Sequence, residues 1–144
     1  MIVLSTSCPS VWISMAFDWI AYLWLAKELV GQATIPSGEE AKLRAAISRA
    51  YYAAFHSARM YMRRQGAPTP AVRTYTAHEA VIHWFEDQPQ RQYKAVGARL
   101  RRLKDERVAA DYERNIGADL TAITVRARNA LYEAERIIAM VDAL

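Results

Sequence analysis

Hydrophobic residues recur with a helical period along most of this chain, most clearly between Leu43 and Arg64. At 100° per residue, Leu43, Ile47, Ala50, Tyr51, Ala54, Ala58, Tyr61 and Met62 form one broad apolar side. Arg49, Tyr52, His56, Arg59 and Arg63 step by three and four residues along the other side, within about a quarter turn. Such a face is either a solvated surface or one wall of an anion site.

Four more segments carry the same period. A first helix is expected from near Ser10 or Ser14 to Gly31, a natural residue just past a helix end. Ile13, Phe17, Ile20, Trp24 and Leu25 supply its apolar positions, while Trp12, Trp19 and Tyr22 widen them past one stripe. That helix is therefore either sandwiched or in contact with a partner chain. Ser37 with Glu40, and Thr76 with Glu79, have capping-box spacing and are expected to start the second and third helices. Gly66 and Pro68 end the second helix, and residues 67–74 read as the longest loop. The third helix should bury Val81, Ile82 and Phe85. The fourth, over Gln90 to Arg114, carries the stripe Tyr93, Val96, Leu100 and Leu103. Asn115 is the expected cap of the fifth, over Ile116 to Ala143, with a seam of Leu120, Ile123, Ala127, Ala130, Ala134, Ile137 and Val141. No strand pattern appears, so the expected fold is all-α, a five-helix up-and-down bundle. Residues 1–12 read as a loose N-terminal extension and 13–144 as one helical domain.

Bulk properties narrow the function classes. The chain of 144 residues, 53% hydrophobic and 24% charged, has an ordinary globular composition. Its net charge of +4 leans mildly toward polyanionic partners. Arginine far outnumbers lysine, which suits bidentate phosphate binding but also follows from a GC-rich genome. Cys8 is the only cysteine, which excludes an intramolecular disulfide and makes a reducing cytoplasm the expected location. Residues 1–17 are uncharged but broken by Pro9 and serines, and Asp18 ends the run. That fits neither a secretory signal nor a membrane span. His78 and His83 are five apart, not the four that places two metal ligands on one helix face, and no cysteine cluster helps, so neither metal nor cofactor is expected.

Arg107 is the most pointed residue, because it interrupts the apolar stripe of the fourth helix. A guanidinium facing a core must be paired. Asp111, four residues on, shares its face. The pair is either a structural device that fixes helix register or an arginine pre-oriented by a carboxylate to hold phosphate. The run Arg99, Arg101, Arg102 and Lys104 spreads round the helix instead. Arg101 can pair with Asp105 and Arg102 with Glu106, as a solvated face.

The segments AISRAYYAAFHSAR and LKDERVAADYE, in that order, resemble the HEPN family of small α-helical, nucleotide-associated proteins. AFDWIAYLWLAKELV and TAHEAVIHWF extend the resemblance over roughly residues 16–140. It implies a HEPN-like bundle that forms a homodimer. Many members are metal-independent ribonucleases; others belong to toxin–antitoxin pairs with a small nucleotidyltransferase. The nuclease members use an arginine followed, after four to six residues, by a histidine, and two such motifs meet across the dimer. Arg107 matches the arginine, but no histidine follows it; Tyr112 stands four intervening residues along.

That departure matters chemically, since metal-free RNA cleavage needs a base and an acid. A tyrosine of pKa about 10 is a poor base at neutral pH, and Tyr112 lies about 140° round the helix from Arg107. His56 is the expected substitute for proton transfer, with Arg107, Asp111 and Tyr112 completing a catalytic set. Arg49, Tyr52, Ser48 and Arg59 are the expected phosphate-binding residues. An exposed Tyr112 could also accept a nucleotidyl group, which mass spectrometry of a co-expressed pair would detect. Three functions follow: an RNA- or nucleotide-binding component of a toxin–antitoxin or defence module acting with a nucleotidyltransferase; a metal-independent endoribonuclease with Arg107 at a dimer interface; or a non-catalytic scaffold with a structural Arg107–Asp111 pair.

Overall fold

The structure is a computed structural model that describes residues 17–31, 36–70 and 75–144. It is an all-α bundle of five helices: α1 (Ile20–Gly31), α2 (Pro36–Arg64), α3 (Tyr75–Glu86), α4 (Arg91–Tyr112) and α5 (Leu120–Asp142). Among the described residues there is no strand, and no helix is long and apolar enough to cross a membrane.

The 29 residues of α2 make an axis about 43 Å long at 1.5 Å per residue, and all four other helices pack on it. Leu43, Ile47, Ala50, Tyr51, Ala54 and Ala58 are wholly buried, as their spacing predicts. Burial goes further round the helix than one stripe, because Ala46, Ala53, Phe55 and His56 are buried too. The α2–α5 pairing is the most extensive in the bundle. On α5 the buried positions Ile123, Ala127, Ala130, Ala134, Ile137 and Val141 follow the predicted seam; only Leu120 is exposed. Val81, Ile82 and Phe85 of α3 are buried, as are Val96, Leu100 and Leu103 of α4, with Tyr93 partly so.

The helix ends show how local chemistry sets boundaries. Gly66 adopts φ 76° and ends α2. Its N–H donates to the Arg63 carbonyl at 2.9 Å, and that of Ala67 to Met62 at 3.2 Å, which satisfies carbonyls the last turn would leave open. The cap of α5 is Asp119, not Asn115: its carboxylate accepts from the Ala122 N–H at 2.8 Å. Residues 113–119 therefore link α4 to α5 outside any helix. α2 begins at Pro36 and α3 at Tyr75, each one residue ahead of the expected cap. Glu79 reaches toward α4, where it meets Lys104 and Arg101.

The first helix departs most from expectation. Its buried residues are Leu23 and Ala26, whereas Phe17, Trp24 and Leu25 are exposed and Ile20 is partly covered. Trp12, Ile13 and the expected starts at Ser10 and Ser14 lie outside the described residues, as do the extension at 1–12 and residues 71–74 of the loop. The run at 99–104 is not a self-paired solvated face. Arg101 reaches α3, at 2.7 and 2.9 Å from Glu86, instead of Asp105. Glu106 pairs with Arg126 of α5 at 2.8 Å, and Arg99 with Glu133 at 2.7 Å.

Candidate anion-binding site

Arg107 lies where α2, α3 and α4 approach one another. Its Nη2 donates to the Tyr52 hydroxyl at 2.6 Å. The guanidinium carbon stands 5.3 Å from the Tyr52 ring centre and 5.7 Å from that of Tyr51. Both aromatic faces attract the cation. Adjacent residues on a helix point about 100° apart, so a guanidinium entering from α4 can meet two successive tyrosines of α2.

Asp111 takes the expected place one turn along α4, with Oδ2 at 3.1 Å from Arg107 Nε. The approach is off the N–H direction, and Nε is buried without a hydrogen bond among the described residues. The Ser48 hydroxyl donates to the same carboxylate at 3.4 Å. Burial opposes the charge of Arg107, but the Tyr52 hydroxyl and then Asp111 outweigh it and hold the guanidinium protonated.

Two residues absent from the sequence-based site belong to this cluster. The Tyr51 hydroxyl is 2.6 Å from His78 Nδ1, and the His78 ring centre is 6.0 Å from that of Tyr52. Tyr51 is wholly buried, and burial drives its ionisation far above the ordinary tyrosine range. His78 is held neutral by burial first, then by Arg107 and Lys104, against a smaller pull from Glu79. Beside it, Glu79 meets buried Lys104 and lies 3.2 Å from Arg101, which lowers its carboxyl below the usual range. An ionic layer thus continues from the Arg107 cluster along the α3–α4 contact. His83, the other candidate metal ligand, sits on the surface 3.5 Å from Glu79 and 3.6 Å from Glu86.

The remaining predicted residues go elsewhere. His56 is only 3% exposed, so it does not stand on an open polar wall. Its ring stacks on Trp19 of the segment leading into α1, with centres 3.4 Å apart and planes 11° from parallel. Burial, then Arg59 and His78, lower its pKa to about 4, so it is neutral at pH 7. Its Nδ1 has no hydrogen-bond partner among the described residues. Arg49 lies over the Tyr22 ring at 4.9 Å, and Arg59 reaches the Pro70 carbonyl at 3.5 Å. A groove of about 500 Å³ runs past His56 between α1, α2 and α5, but Arg107 does not line it. Tyr112 points to solvent with 76% of its surface exposed.

No protein-family model, curated protein or solved structure matches this chain. The site is therefore read from its own geometry. Arg107, Asp111, Tyr52 and Ser48 converge, and Tyr51 and His78 join them. Such a cluster can offer a charged fork, a phenol and an imidazole to an anion.

One distant residue fixes the end of the helix that carries the site. Arg44 of α2 donates from Nη1 to the carbonyls of Ala110 and Glu113, each at 2.8 Å, and from Nη2 to that of Arg114 at 3.1 Å. Glu40 accepts from its Nε at 2.8 Å. The cation thus meets the negative end of the α4 dipole and its open carbonyls together.

Proposed function

We propose that this chain is a HEPN-type protein that binds RNA or a nucleotide through phosphate, as part of a toxin–antitoxin or defence module with a nucleotidyltransferase partner. The observation that carries the reading is the setting of Arg107: a guanidinium braced by Tyr52, Asp111 and two aromatic faces. A guanidinium has five N–H donors, more than Tyr52 and Asp111 take, so the held fork still has N–H groups to offer a ligand oxygen. The sequence resemblance adds the expectation of a homodimer, for which exposed Trp24, Val125 and Tyr132 offer apolar contact area. The ribonuclease reading loses its proposed proton-transfer group, since His56 is covered by Trp19.

Binding of a labelled single-stranded RNA, measured by anisotropy for the wild type and Arg107→Gln, tests the reading. Loss of a charge-assisted contact predicts binding weaker by about tenfold or more. Unchanged binding by a folded Arg107→Gln protein refutes the phosphate site. RNA degradation in EDTA that disappears in the same variant makes the protein a ribonuclease instead.

A further inference from the structure

We propose that His78 is a second anion-binding group of the Arg107 site, that Tyr51 sets its tautomer, and that its protonation tightens the hold on a phosphate-bearing ligand. This rests on the phosphate reading above and extends it to a residue on a different helix.

The tautomer follows from satisfying a buried hydroxyl. Tyr51 has no exposure, and among the described residues its hydroxyl bonds only to His78 Nδ1. If the phenol accepted from Nδ1–H, its own proton would be buried without an acceptor, which folded proteins avoid. The phenol therefore donates, Nδ1 accepts, and the imidazole proton sits on Nε2. The ring is only partly buried, and its Nδ1 edge is the one held by a wholly buried residue. The Nε2 edge, at the opposite side of the ring, is then the one able to meet a ligand.

Neighbouring donors have the same orientation logic. Tyr52 accepts from Arg107, so its own hydroxyl proton remains for another partner. Arg107, Tyr52 and His78 together supply three donors from α4, α2 and α3, enough for several oxygens of one phosphate.

Charge explains why protonation matters. The groups that face His78 are Tyr51, Tyr52 and His56 of α2, Glu79 of its own helix, and Lys104 and Arg107 of α4. Lys104 is offset by Glu79, and Arg107 by Asp111. Tyr51 and His56 are neutral at pH 7, so an uncharged His78 leaves the local sum near zero. One added proton goes to Nδ1 and turns the Tyr51 hydrogen bond round, and the cation it creates, shared by both ring nitrogens, offsets that cost only when an anion lies at the Nε2 edge.

Two isosteric variants separate the parts. His78→Asn keeps an acceptor near the Nδ1 position for Tyr51 but removes the ε donor and the titration. His78→Gln returns an amide donor near the ε position without titrating. Binding of a labelled ten-nucleotide single-stranded RNA is measured at pH 7.5 and pH 5.5 for the wild type, both variants and Arg107→Gln. Wild-type affinity should rise at pH 5.5. His78→Asn should bind about tenfold more weakly at pH 5.5 and show no such rise. His78→Gln should recover part of the affinity at pH 7.5 and also lack the rise. Imidazole ¹⁵N shifts should report the Nε2–H form at neutral pH, and Tyr51→Phe should mix the tautomers.

If His78→Asn binds like the wild type at both pH values while Arg107→Gln fails, His78 is not part of the site and the phosphate reading stands. An Nδ1–H tautomer in the wild type overturns the arrangement directly. No RNA binding by the wild type at either pH refutes the phosphate reading and this extension together.

Discussion

His56 predicts an acid-sensitive fold, and the size of the effect can be worked out. The imidazole is buried, stacked on Trp19 and close to Arg59, and its pKa falls from 6.5 to about 4. A histidine with a depressed folded pKa binds its proton more readily in the unfolded chain. Stability from this group is therefore complete above about pH 6.5 and is lost as pH falls toward 4. At about 1.4 kcal/mol per pKa unit, the full loss is roughly 3 kcal/mol, with about 2 kcal/mol gone by pH 5. That is a large share of a domain's usual 5–15 kcal/mol. Urea denaturation of the wild type and His56→Phe from pH 7.5 to pH 5 measures it. The variant keeps a ring against Trp19 and removes an Nδ1 that has no hydrogen bond among the described residues, so at pH 7.5 it should cost no more than about 1 kcal/mol. It should then outlast the wild type on acidification, their difference shifting by about 2 kcal/mol by pH 5. His78, also held below its ordinary value by burial, is present in both proteins, so its own contribution largely drops out of the difference. Glu79 and Glu86, held below the ordinary carboxyl value of 4.5, lose their contributions at lower pH still. A difference that stays constant between pH 7.5 and pH 5 refutes the assignment to His56.

Two further outcomes follow from single contacts. A Cβ on Gly97 of α4 would stand 2.7 Å from Glu86 Cγ, 3.0 Å from the Glu86 nitrogen and 3.2 Å from the Ile82 carbonyl oxygen of α3. Gly97→Ala should therefore lower stability by about 1–3 kcal/mol despite alanine's better helix propensity, whereas a gain in thermal midpoint would show that α3 yields easily. Arg44→Met strips three carbonyls of α4 and the following link of their donor, and should cost about 2 kcal/mol while speeding amide exchange at the end of α4. Unchanged exchange there would mean that water replaces the guanidinium without loss.

Periodicity located the helices that have one buried side. The α3 core, the α4 stripe and the α5 seam follow from spacing, and Arg107–Asp111 follows from i,i+4 geometry. What spacing cannot supply is the identity of the element lying over a given side. His56 looked like part of a polar wall because Arg49 and Arg59 flank it on the wheel; Trp19 of another segment covers it. The sequence does carry a signal for His78. It falls at i, i+3, i+4 and i+7 with Val81, Ile82 and Phe85, a polar residue on a core stripe, which calls for a buried partner. That partner, Tyr51, lay in full view on the apolar side of α2, but only the helix crossing joins them. For α1 the sequence is apolar nearly all round, so the wheel has no preferred side and could not distinguish buried Leu23 from exposed Trp24. Asp119 and Asn115 are both good caps, and only the path of the link after α4 decides between them.

The buried alanines of α2 and α5, the two helices that pair most extensively, bear on how this chain can change. Ala46, Ala50, Ala53, Ala54 and Ala58 of α2 and Ala127, Ala130 and Ala134 of α5 are all buried. Alanine has no rotamers to reorganise, so a contact built from it cannot absorb a larger neighbour by repacking side chains. Any enlargement there must move a whole helix. The α3–α4 side is different, because its long arginine, lysine and glutamate side chains can exchange partners while the backbone stays in place. Drift in sequence should therefore accumulate in the Arg101, Glu79 and Glu86 layer beside the site more readily than along the buried alanines. A descendant could acquire a new ligand on one side of α2 while keeping the other almost unaltered.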